Sequence, residues 1–148
     1  MKTAGFYTIS AGVILVVTGA AKIVSGLGKA RVLDLADPLL FLPVRHVLLI
    51  VGVLELLIGA FLLLTSDPWS KLPVVGWLAT NFLLYRLGLL WVGAYKPCNC
   101  LGTVADALPL PRVAVLWATN AAFLYLLLGS YFLLFFAWLR RARRESVI

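Results

Sequence analysis

Apolar residues in this chain run in four long blocks separated by short polar intervals. The blocks cover about 4–27, 44–65, 74–95 and 112–139. Each is long enough to cross roughly 30 Å of hydrocarbon as a helix, which takes about 20 residues. Helix is also the form in which a single segment satisfies its own backbone in lipid. The stretch Ser66-Asp67-Pro68-Trp69-Ser70-Lys71-Leu72-Pro73, with two prolines, predicts a turn that makes the second and third blocks an antiparallel hairpin. Small residues recur at helical steps inside the blocks. Gly5, Thr8, Gly12, Gly19, Lys22 and Gly26 form one stripe, Gly52, Glu55 and Gly59 a second, and Ala79, Arg86 and Gly93 a third. Small residues let helices approach closely in lipid, so these stripes are the expected packing faces. The predicted architecture is all-α. It is one integral membrane four-helix bundle over residues 1–148, ending in a basic tail at 140–148.

Five polar side chains interrupt the blocks: Lys22, Glu55, Asn81, Arg86 and Asn120. Such groups are costly at membrane depth and therefore face the bundle interior, pair, or serve a site. At about 1.5 Å of rise per residue, Glu55 and Arg86 both lie roughly 14 Å from the helix ends that join the two longer connections. Their matching depth predicts an ion pair. Asn120 lies about 12 Å and Lys22 about 8 Å from the same side, with Asn81 deeper. Glu55, Arg86, Asn120 and Lys22 therefore form a candidate cofactor pocket. It would seat a quinone head group, conduct protons or support a neighbouring loop. The competing reading is a clamp that only fixes helix register.

Composition agrees with a membrane class: 63% of residues are hydrophobic and mean hydropathy is +1.03. The lipid bilayer is thus the first partner, and little chain remains for a separate soluble domain. The net charge of +7 does not point to nucleic acid, because four cations form the Arg140-Arg141-Ala142-Arg143-Arg144 tail directly after the last block. A basic cluster there reads as a cytoplasmic stop signal or a contact with anionic lipid heads. With four spans it places both termini in the cytoplasm and the connections around 29–43 and 96–111 on the periplasmic or exterior side. The charges flanking the first block alone argue the reverse; the dense arginine tail decides. Trp69 and Trp77 at one end of the third block, Trp91 and Tyr95 at the other, and Trp138 at the end of the fourth suit interfacial belts. Lys2 and the small residues Gly19-Ala20-Ala21 imitate a signal peptide, but the long, patterned apolar run predicts an uncleaved span. The segment Gly28 to Pro43 is expected to lie on the membrane surface as a short amphipathic helix capping the bundle.

Both cysteines sit in Lys96-Pro97-Cys98-Asn99-Cys100-Leu101-Gly102. Thiols one residue apart can close into a small, strained disulfide, and strained disulfides are the exchange-prone ones. Cys98 and Cys100 are therefore the candidate catalytic pair. Two alternatives stand beside this reading. The cysteines are small residues in a loop, or they are part of a metal site that needs His46 and Asp106 or water to complete it. The redox reading is preferred, with no metal assigned. His46 opens the second block on the cysteine side, either as a base assisting a thiolate or as a polar anchor.

Several of these features together resemble one family. Lys22 follows Gly19-Ala20-Ala21, the second span carries Val53-Leu54-Glu55-Leu56-Leu57-Ile58-Gly59-Ala60, and Pro97-Cys98-Asn99-Cys100-Leu101-Gly102 precedes the fourth span. This pattern is similar to the DoxX-like superfamily, and its paired cysteines resemble the branch of the methylamine-utilisation protein MauE. The resemblance implies a four-helix protein of the bacterial inner membrane. It implies that Cys98 and Cys100 work with a periplasmic thioredoxin-like partner in maturing methylamine dehydrogenase. Glu55 and Lys22 would form a polar element inside the bundle. Relatives also include a subunit of a thiosulfate:quinone oxidoreductase, which makes a quinone the carrier to expect. The alternative is a non-catalytic membrane assembly factor or subunit of a redox complex.

Overall fold

The computed structural model describes residues 2–29, 31–93 and 112–145. It contains four long helices: α1 (Lys2–Gly26), α2 (Val44–Leu64), α3 (Pro68–Trp91) and α4 (Arg112–Glu145). All four carry stretches long and apolar enough to span a membrane. The expected four-helix architecture is therefore what the chain adopts. Cys98, Cys100, Asp106 and the rest of 94–111 lie outside the described residues, as do 146–148.

Helix ends follow local chemistry. Pro43 precedes α2, and its carbonyl accepts from the His46 N–H at 2.8 Å. At the start of α3, the Asp67 carboxylate accepts from the Trp69 and Ser70 N–H groups at 3.2 and 3.1 Å. Pro68 fills the first helical position, where its missing N–H costs nothing. The expected turn at 66–73 is thus corrected: helix begins at Pro68, and Pro73 lies inside it. α3 closes at Trp91, with Gly93 beyond it at φ +68°, a left-handed geometry that glycine adopts without penalty. α4 has no glycine or proline to stop it after Leu139, so it continues through the basic run to Glu145.

The helices associate as two pairs, α1 with α2 and α3 with α4, and the pairs meet each other less extensively. Glycine makes the first pair close. A β-carbon at Gly19 would stand 2.8 Å from the Gly52 carbonyl oxygen, and one at Gly52 would stand 2.9 Å from that of Gly19. Toward the α2–α3 turn, Tyr7, Ala11, Leu15, Ile58, Leu62, Leu72, Val75 and Leu78 form a buried apolar core. The Tyr7 hydroxyl donates to the Leu126 carbonyl at 2.7 Å, tying α1 to α4. Lys71 is buried, and its ammonium donates to the Leu62 carbonyl near the end of α2. A cation suits the negative end of a helix.

The connection between α1 and α2 is not the amphipathic helix expected. It forms one short 3₁₀ turn, Arg31–Asp34, followed by a tight loop organised by Asp37. The Asp37 carboxylate accepts from the Leu39 and Leu40 N–H groups at 2.9 and 3.0 Å. Its backbone N–H donates to the Leu42 carbonyl at 2.8 Å. The expectation that this segment caps the bundle holds, with a loop in place of the helix.

Candidate functional site

In the half of the bundle near this loop, a cavity of about 320 Å³ is lined by side chains from all four helices. Its walls are mostly apolar, including Val47, Leu48 and Val51 of α2 and Leu78 and Phe82 of α3. Lys22, Glu55, Tyr85, Arg86 and Asp37 also line it. Three side-chain pairings organise these polar groups.

The first pairing crosses the α1–α2 seam. Lys22 Nζ lies 2.7 Å from both Glu55 Oε1 and Oε2, and Glu55 is only 1% exposed. The seam explains the match. Gly19 against Gly52 sets an antiparallel register in which Lys22 and Glu55 stand on the facing sides, some distance apart along the axis. Helical side chains lean toward their own N-terminus, so on antiparallel helices these two lean toward each other. The lysine ammonium also lies 5.7 Å from the centre of the Phe82 ring.

The second pairing joins α3 and α4. Arg86 Nη1 donates to Asn120 Oδ1 at 2.7 Å, and the guanidinium lies 4.6 Å from the centre of the Phe123 ring. Asn120 and Phe123 are one turn apart, so a single face of α4 receives both the hydrogen-bonding edge and the flat side of the arginine. Glu55 forms a salt bridge with Lys22, a partner that the depth argument did not name. Depth alone ignores which helices are brought close by glycine. The prediction that all four groups gather in this half of the bundle stands.

The third pairing was not anticipated. The Tyr85 hydroxyl donates to Asp37 Oδ2, fastening the α1–α2 loop to α3. Leu39 adds to the fastening by packing on α3, where a β-carbon at Gly88 would stand 2.9 Å from Leu39 Cδ1. Burial alone would push the Asp37 carboxyl up. The hydrogen bonds from Tyr85 and from the Leu40 and Leu39 N–H groups outweigh it and hold the carboxyl below its ordinary value of 3.8. A clue was present in the sequence, because Asp37-Pro38 interrupts an otherwise apolar connection and Tyr85 adjoins Arg86.

The remaining candidates separate. Asn81 lines the cavity while staying exposed, its Nδ2 donating to the Trp77 carbonyl at 2.8 Å. Trp77, expected in an interfacial belt, lies well inside α3 once that helix starts at Pro68, and it too lines the cavity. His46 is exposed on the first turn of α2. Among the described residues, every buried side-chain nitrogen and oxygen has a hydrogen-bond partner. No protein-family model, curated protein or solved structure matches this chain.

Proposed function

We propose that this chain is a redox-associated membrane protein of the MauE and DoxX-like type, resident in the bacterial inner membrane. Cys98 and Cys100 exchange disulfide with a periplasmic thioredoxin-like partner through a mixed disulfide, in the service of methylamine dehydrogenase maturation. A quinone is the membrane carrier. When the dithiol closes to a disulfide it releases two electrons and two protons, and the quinone that accepts both becomes a quinol. The reverse step balances in the same way. Termini in the cytoplasm and cysteines in the periplasm give the partner access.

The observation that supports this reading is the joint lining of one cavity by Lys22, Glu55 and Arg86. It occupies the end of the bundle from which the cysteine-bearing connection leaves α3. Replacing Cys98 or Cys100 with Ser tests the reading. Each variant is expected to insert normally and to lose exchange with a thioredoxin-like protein, assayed by alkylation mass shift. Full exchange in either variant overturns the relay. A second reading, a non-catalytic assembly factor, is favoured by the complete pairing of buried side-chain polar atoms among the described residues, which a register clamp also requires. It expects both serine variants to keep function.

A further inference from the structure

Leu54 of α2 and Trp77 and Asn81 of α3 line the cavity and are also exposed on the outer surface of the helices. Leu54 lies about 15 Å along α2 from Val44, and Asn81 about 15 Å along α3 from Trp91. Both positions are near the middle of a hydrocarbon layer of about 30 Å. The opening between α2 and α3 therefore faces lipid. Toward the end of the bundle the cavity is bounded by the loop pinned by Asp37 to Tyr85 and by Leu39 against Gly88, where Leu40 lines it and is itself exposed.

We infer that this cavity seats a lipid-soluble molecule with a compact, uncharged, hydrogen-bond-accepting head, admitted sideways from the bilayer between α2 and α3. Size permits it, since 320 Å³ falls within the range of about 300–1,000 Å³ typical of ligand sites. Charge selects the head. Lys22 and Arg86 are balanced by Glu55 and Asp37, so the cavity has no net formal charge with which to repay desolvation of an ion. The ammonium and guanidinium groups supply donors for carbonyl oxygens, while the apolar wall from Val47 to Leu54 receives a hydrocarbon tail. A long-chain quinone meets this description. The inference rests on the carrier reading above but not on the cysteines.

The test uses the full chain in nanodiscs of neutral phospholipid, titrated with decylubiquinone. Tryptophan fluorescence is read in a variant that keeps only Trp77, with Trp69, Trp91, Trp117 and Trp138 changed to Phe. Saturable quenching at Trp77 is expected, together with non-saturating quenching in the matching variant that keeps only Trp138. Val51→Phe, which narrows the cavity, should weaken the probe on the order of tenfold, the factor given by about 1.4 kcal/mol. Decyl phosphate should not compete. Unsaturable and equal quenching at both tryptophans would mean simple partition into the bilayer and would overturn the inference, as would displacement by decyl phosphate at comparable concentration. If the single-tryptophan chains do not insert, a photoreactive ubiquinone analogue takes their place on the native chain. Adducts within 44–55 and 77–86 are then expected, and adducts only elsewhere would overturn the site. Cys98→Ser separates the two ideas. Unchanged binding with a lost relay supports the cavity, whereas absence of binding in the native chain, with its relay intact, overturns the cavity alone.

Discussion

The two halves of the bundle solve the same problem, four helices in lipid, in opposite ways. Near the α2–α3 turn, apolar side chains fill the interior. Leu15, Leu62, Leu72 and Val75 are each at most 1% exposed, and the nearby hydroxyls bond to backbone or to each other. Near the α1–α2 loop, the same helices hold apart a mostly apolar space into which four charged residues are set. Packing in lipid gains nothing from excluding water, so close van der Waals fit and interhelical hydrogen bonds must supply the association. The first half takes its cohesion from fit. The second keeps close fit along the Gly19–Gly52 seam of α1 and α2 and ties its remaining elements together through three polar pairings around a cavity.

Breaking the Lys22–Glu55 pair should have the largest effect and sharpens the contrast most. Glu55→Leu leaves Lys22 buried without its counter-ion, and removing one partner of a buried pair costs about 3–5 kcal/mol. The double change Lys22→Met with Glu55→Leu should recover much of that loss, because two apolar groups replace two buried charges. Unfolding in detergent under increasing SDS measures both. A double variant no more stable than the single would show that the pairing matters for more than charge balance.

Leu62→Ala probes the packed half. It removes a side chain that is fully buried, and comparable truncations cost about 2–5 kcal/mol. The same assay applies, with quinone binding expected to persist in the chains that remain folded. Equal damage to binding would mean that the two halves are not separable.

The smallest effect concerns the loop and depends on pH. The Asp37 carboxyl is held below its ordinary value of 3.8 in the folded chain. Its contribution to docking the loop is therefore complete above that value and is lost as pH falls through the lower, folded value. Amide exchange at Leu39 and Leu40, corrected for intrinsic rates, should accelerate at about pH 3 relative to pH 6, below the ordinary carboxylate range. Asp37→Asn should abolish the difference between the two conditions. A variant that retains it would assign the acid sensitivity to another group.

Much of this contrast was legible in the residues. Lipid admits few backbone arrangements, so four apolar blocks sufficed for four helices. The edges are harder, because a proline at the first helical turn looks the same in sequence as a proline in a loop, so the apolar pattern places the third block at 74 where α3 begins at Pro68. Gathering Lys22, Glu55, Arg86 and Asn120 at one end needed only helical rise. Choosing partners among them needed to know that Gly19 and Gly52 bring α1 against α2, which depth does not encode. The Asp37–Tyr85 contact spans 48 positions between a loop and a helix, and no periodicity points to it.

One more property follows from the length of α4. At 34 residues it extends about 51 Å, well beyond the roughly 30 Å of a hydrocarbon core. Its helical backbone carries the four arginines 140–144 past the apolar stretch that ends at Leu139. A rod that carries charge beyond its apolar stretch resists being drawn into the bilayer, because an arginine brought to the hydrocarbon centre costs about 2.5–3.5 kcal/mol.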